Sequence, residues 1–273
     1  MNKKLILSSI ILTTAIFASS PASASTNSEE LKPYNYEEIM NTHFSNIPEE
    51  VKNIKVNELE KESKEYLTEE EVSKTTPEML AEISDKIESN PKMDTYTEHE
   101  ANEFAAKLIK ENISKEQTIR GISDYIPGYN RLNSAEKKLA KKHPIEFAKY
   151  VDTALEASKE SKKYYGESQL YQGNGDAFRH AYWNAILVQR LNGPRIDKVN
   201  RAKVWTNAHE AESSGIDKEM DLINNEIGRY HAYENFSDYK TKISKDLRQK
   251  VANGVMVRIV KGKLTATSRF TGK

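Results

Sequence analysis

The 273-residue sequence contains no cysteine. That absence excludes a disulfide framework, thiol catalysis and cysteine metal sites, and it excludes lipid-anchored export, which needs a cysteine at the cleavage point. Net charge is also missing, with 41 basic against 41 acidic side chains. A dominant charge signal for nucleic acid or another polyanion is therefore excluded. Long apolar runs are scarce. The one candidate, Leu5 to Ala18, is shorter than the roughly 20 residues a spanning helix needs.

That run follows Lys3 and Lys4 and precedes Pro21 and Ala22-Ser23-Ala24. A charged start, a short apolar stretch and small residues at the end are the pattern of a cleavable secretory leader. The expectation is a signal peptide over 1–24, a secreted protein, and no membrane span after cleavage.

Charge is unevenly spread. Residues 25–100 carry 20 acidic and 8 basic side chains, and residues 101–273 carry 21 acidic and 31 basic. The neutrality is a cancellation of −12 by +10, with Lys3 and Lys4 supplying the remaining +2. The chain is read as an acidic, partly disordered helical region over 25–100, with a disordered start from Ser25 to about Asn35, and a basic helical domain over 101–273. The opposed charges suggest that the acidic region docks on the basic domain within the chain.

Periodicity of apolar residues gives a mainly α, bundle-like fold. Thr68 with Glu71 and Thr97 with Glu100 have the spacing of helix-start capping boxes. Ser123 to Asn133 reads as a connector. Helices are expected over Ser134–Lys142, about Pro144–Lys163, Asp176–Leu191, Asp197–Ser213, Asp217–His231 and Ser237–Ala252, with a loop from Tyr164 to Gly175. Val255 to Val260 and Leu264 to Ser268, around Lys261-Gly262-Lys263, form a small C-terminal β-hairpin over about 255–268.

Chemistry concentrates between Gly173 and Arg229. Asp176, His180 and Asn184 stand four residues apart, flanked by Arg179 and Trp183, so that all share an arc of about 140° on one helix. A carboxylate one turn before a histidine can join it in binding a metal or can orient its imidazole. It can equally be a helix-start acid beside a histidine satisfied in the core. On the next helix, His209 and Glu210 lie near the small residues Ala202 and Thr206. This is no zincin motif, because Ser213 stands where the second histidine of H-E-x-x-H belongs. The third helix carries Asp221, Asn224, Asn225, Gly228 and Arg229 away from the apolar stripe of Met220, Ile223 and Ile227. Two asparagines and a glycine are poor helix formers, the glycine costing about 1 kcal/mol against alanine. They point to carboxamide hydrogen bonds and a close backbone approach at Gly228, or to a plain polar face. No serine elbow, phosphate-binding loop or dinucleotide fingerprint is present.

The blocks Asp176-Ala177-Phe178-Arg179-His180-Ala181-Tyr182-Trp183-Asn184, Ala208-His209-Glu210, and Met220-Asp221-Leu222 with Asn224-Asn225 and Gly228-Arg229 resemble the signature of a bacterial domain family of unknown function, common in exported proteins of Gram-positive bacteria. The resemblance spans roughly residues 132–233. It implies no reaction.

From the residues themselves the leading expectation is a hydrolase with its site between three helices, in a version assisted by a divalent metal or in a metal-free version. His180, His209 and Asp221 are the expected ligands, Asp176 orients or ligates, and Glu210 is the general base. Arg179, Asn184, Asn224, Asn225 and Arg229 are the expected substrate-binding groups. A metal-free version keeps a histidine as base and an arginine as stabiliser. Two other readings stand beside these: a binding or structural module whose polar cluster specifies helix packing, and a secreted toxin or effector using the Lys137-Lys138 and Lys141-Lys142 cluster, which is otherwise a solvated helix face.

Overall fold

Helix starts follow local chemistry closely. In the computed structural model, which describes residues 31–53, 64–119 and 132–273, the chain forms α1 (Tyr36–His43), α2 (Glu49–Lys52), α3 (Glu69–Ser73), α4 (Pro77–Glu88), α5 (Glu98–Ile119), α6 (Ser134–Lys142), α7 (Pro144–Tyr164), α8 (Asn174–Arg190), α9 (Arg195–His209), α10 (Gly215–Glu234) and α11 (Lys240–Ala252). The strands β1 (Val257–Val260) and β2 (Lys263–Ala266) follow. The leader over 1–24, residues 25–30 of the expected disordered start, and most of the Ser123–Asn133 connector lie outside the described residues.

Thr68 and Glu71 exchange side-chain and backbone hydrogen bonds at the head of α3, and Thr97 and Glu100 do the same before α5. Asn133 and Glu136 form a third such box, at 2.9 and 2.8 Å, where α6 begins. Each satisfies backbone donors that a helix start otherwise leaves orphaned. Pro144 opens α7, where its missing N–H costs nothing. The hairpin turns through Lys261 at φ 52° and Gly262 at φ 71°, two successive left-handed residues that match the twist of the strands.

Three expectations are corrected. Residues 31–35 are an ordered extended segment: Ala266 N–H donates to the Lys32 carbonyl at 2.9 Å, Pro33 bridges Thr265, and Asn35 caps α1. The free edge of β2 supplies partners that no local pattern in 31–35 announces. Secondly, α9 ends at His209, not Ser213, because the Asn133 side chain donates to the carbonyls of Ala208 and His209 at 2.6 and 3.0 Å. Glu210 is thereby placed just past the helix.

The third correction concerns the boundary at residue 100. Helix α5 runs across it, and Phe44, Leu80, Ile83 and Ile109, each fully buried, belong to the same apolar core as Phe147, Phe178, Leu187 and Trp205. Residues 31–273 are one compact unit. Cross-pairs between acidic and basic regions, such as Lys141 with Glu65 at 2.9 Å and Lys137 with Glu69 at 3.3 Å, join half-buried lysines to exposed glutamates at the surface. An exposed pair contributes about 0–1 kcal/mol, whereas one buried Leu or Phe contributes about 1.5–3 kcal/mol. Apolar packing, not charge, holds the acidic region in place.

Among the described residues, no helix is long and apolar enough to cross a membrane. Helices α8 and α10 cross closely, with Gly228 directly against the backbone carbonyl of Ala181, where a Cβ would collide with it. That close approach brings the polar faces of the two helices together.

Candidate metal centre

Before α8, the chain passes through Gln172 at φ 56°. This unusual conformation aims the Gln172 N–H at Asp176 Oδ2, 2.7 Å away, while its side-chain amide donates to Asp217 at 2.6 Å and its carbonyl accepts from Ile259 of β1 at 2.9 Å. One residue thus ties the heads of α8 and α10 to the hairpin. It also fixes the Asp176 carboxylate, leaving Oδ1 turned toward His180 and the Arg179 guanidinium.

His180 is 2% exposed. Its Nε2 lies 3.5 Å from Asp176 Oδ1, 3.3 Å from Asp221 Oδ1 and 3.0 Å from Arg179 Nη2. The donor atoms of Asp176, His180 and Asp221 all fall within 4.8 Å of one another. Two ligands on one ion at about 2.1 Å each stand roughly 3–4 Å apart, so this trio is close to the spacing a cation requires.

Behind the imidazole lies a buried chain of hydrogen bonds. His180 Nδ1 meets Asn225 Oδ1 at 3.2 Å; Asn184 Nδ2 donates to the same oxygen at 2.6 Å and to the His180 carbonyl at 3.0 Å. Asn184 Oδ1 in turn accepts from Arg229 at 2.8 Å and from Thr206 at 3.1 Å. Arg229 is wholly enclosed, and burial pushes its guanidinium down to about 10.

The electrostatics are those of crowded anions. Asp221 is pushed up to about 8 by burial, then by repulsion from Glu210 and Asp176. Glu210, 1% exposed, is raised by burial. His180 is held well below the ordinary imidazole range by burial and by the nearby Arg179 and His209. Among the described residues, Glu210 Oε1, Asp221 Oδ1 and Asn225 Nδ2 are buried and make no hydrogen bond. Buried polar atoms are ordinarily paired, and a cation shared by Asp176, His180 and Asp221 would relieve the repulsion and partner the orphaned Asp221 oxygen.

His209 does not join this trio; Asp176 takes its place. His209 Nδ1 is 3.1 Å from Glu136, which also accepts from Tyr150 at 2.6 Å, and its ring stands edge-on to Trp183 with centroids 5.2 Å apart. Burial lowers the His209 pKa, but the bond and charge of Glu136 outweigh this and raise it. Its side chain, 42% exposed, and that of Arg179, 30% exposed, form the solvent-facing side of the centre.

The expected substrate-binding set also divides. Asn224, fully buried, clamps the backbone of Val257 through both ends of its carboxamide, at 2.8 and 3.1 Å, and so docks the hairpin on α10. Asn184, Asn225 and Arg229 are 0%, 0% and 3% exposed and serve the network behind His180. Arg179 alone of the five reaches the opening. Sequence reasoning missed Glu136, Tyr150 and Gln172. The spacing of Asn133 and Glu136 was a visible capping signal for the first, and nothing marked the other two.

Fold and centre define a mainly helical protein with a buried carboxylate–imidazole cluster at a helix crossing. Residues 137–255 match the family described as Domain of unknown function (DUF6973). That segment runs from within α6 to the start of the hairpin region and holds all four of Asp176, His180, Glu210 and Asp221. No curated protein and no solved structure matches the chain.

Proposed function

We propose that this protein is a hydrolase that works with a divalent cation bound by Asp176, His180 and Asp221. The observation that carries the reading is the convergence of those three donor atoms within 4.8 Å, around carboxylates that repel one another. Two carboxylates and one imidazole suit manganese, iron or zinc. Such an ion supplies a Lewis acid and lowers the pKa of bound water toward neutrality. Glu210, whose charge acts on Asp221, is the general base. The Arg179 guanidinium, with His209 beside it at the opening, receives an anionic group of the substrate.

A second reading rests on the 3.0 Å contact of Arg179 Nη2 with His180 Nε2: the metal-free version, with His180 as base and Arg179 as electrostatic stabiliser. Elemental analysis of purified protein, with ester and phosphoester hydrolysis assayed in manganese and in EDTA, separates the two. Bound metal and EDTA-sensitive turnover support the first. Turnover indifferent to EDTA supports the second, and neither metal nor turnover overturns both. The leader pattern over 1–24 supports an exported protein acting outside the cytoplasm.

A further inference from the structure

On another face of the bundle, Lys149 of α7 is 5% exposed, yet it lines two adjoining clefts of about 470 and 480 Å³. Both volumes are in the range of small-molecule sites, roughly 300–1,000 Å³. The first cleft has an apolar wall made by Met93, Tyr96, Ala101, Ile145 and Leu191. None of its lining residues belongs to the carboxylate–imidazole centre.

Two of the carboxylates of this cleft are engaged by neighbouring donors. Glu146 is engaged by Arg201 and by Trp205 Nε1, the latter at 2.9 Å. Glu98 meets Arg201 at 3.1 Å, and Asp197 stands exposed at the rim. Lys149 is different: it donates to the Arg190 carbonyl at 2.8 Å and to Asn192 Oδ1 at 2.9 Å. Among the described residues, no carboxylate lies within ion-pair distance of it. An ammonium carries three donors, and a buried charge without a counter-ion is costly. In keeping with this, burial pushes Lys149 down to about 8, against the raising effect of the more distant Glu88 and Glu146.

We infer that this cleft binds a small carboxylic acid with an apolar body, its carboxylate paired with Lys149 and the amide of Asn192 and its body against Met93, Tyr96 and Leu191. The ligand's charge supplies the counter-ion that the fold leaves out, and the apolar wall selects against small hydrophilic acids.

Calorimetric titration of the full-length protein with octanoate, octan-1-ol and octylamine tests this. Octanoate should bind saturably and at least about tenfold more tightly than either of the other two. Lys149→Met removes the ammonium. Asn192→Asp, a change at an exposed position, gives Lys149 an internal carboxylate instead. Each should weaken octanoate about tenfold or more while leaving octan-1-ol unaffected. Thermal melting checks that both variants fold, and if Lys149→Met does not, Asn192→Asp carries the test. No saturation by octanoate, equal affinity for octan-1-ol, tighter binding of octylamine, or unchanged octanoate affinity in Asn192→Asp each overturns the inference.

Discussion

Asn225 Oδ1 stands 3.2 Å from His180 Nδ1 and accepts from Asn184 Nδ2 at 2.6 Å, while the same Asn184 amide donates to the His180 carbonyl at 3.0 Å. A carboxamide oxygen only accepts, so the imidazole proton is on Nδ1 and the lone pair of Nε2 faces Asp176 and Asp221. Replacing a group that sets a ligand's tautomer typically costs 10–100-fold in metal affinity. Asn225→Ala is therefore expected to weaken manganese binding by about that factor, measured by titration against a competing chelator, with helical content retained. Unchanged affinity would remove Asn225 from the orienting role.

Asp221 costs the fold stability as the pH rises. Its pKa is raised from an ordinary 3.8 to about 8, so between those values the folded state holds a proton that the unfolded chain has released. Stability is accordingly lost as pH rises through that window. In EDTA at pH 8, Asp221→Asn should melt several degrees above the unsubstituted protein, at roughly 2–4 °C per kcal/mol for a chain of this size. It should also lose the thermal shift that manganese gives the unsubstituted protein. A lower melting point in EDTA would contradict the repulsion argument.

His231 sets an opposite dependence. Burial, with Lys250 and Lys242 outweighing Asp246 and Asp238, lowers it from 6.5 to about 4. The unfolded chain takes up the proton first as pH falls, so stability is complete above about 6.5 and is lost toward pH 4. A shift of that size amounts to about 3 kcal/mol. His231→Phe should flatten the fall in urea-unfolding free energy between pH 7 and pH 4.5; a fall as steep as before would assign the acid sensitivity elsewhere.

Gly228 is irreplaceable for a backbone reason. A Cβ there meets the main-chain carbonyl of Ala181, which cannot rotate away as a side chain can. Gly228→Ala should destabilise the fold by roughly 2–3 kcal/mol, despite alanine's better helix propensity, as read by denaturant titration. A gain in stability would show that α8 and α10 separate without penalty.

If residues 1–24 are a leader, protein recovered from the medium of its host begins at Ser25, as N-terminal sequencing will report. A chain beginning at Met1 in the medium would reject leader cleavage.

Much of this architecture was legible because its causes are local. Asn133 and Glu136 start α6 at Ser134, Pro144 opens α7, and the four-residue spacing of Asp176 and His180 fixes a shared helix face. What could not be read is rotation between helices. The orientation of α9 is set by Trp205, stacked on Tyr150 at 4.6 Å and on Phe147 at 6.2 Å, and that stacking turns His209 toward Glu136 instead of toward Asp221. Asn224 and Asn225 are neighbours of equal polarity in sequence; only the positions of β1 and α8 give one to the hairpin and the other to His180.

The hairpin's two outer edges are both engaged within the chain, β2 by Lys32 to Tyr34 and β1 by the carbonyl of Gln172. An open strand edge is a template on which another molecule can add its own strand and begin a fibre. Here part of each edge is already occupied by the protein's own chain, which leaves less of that template open to a second strand.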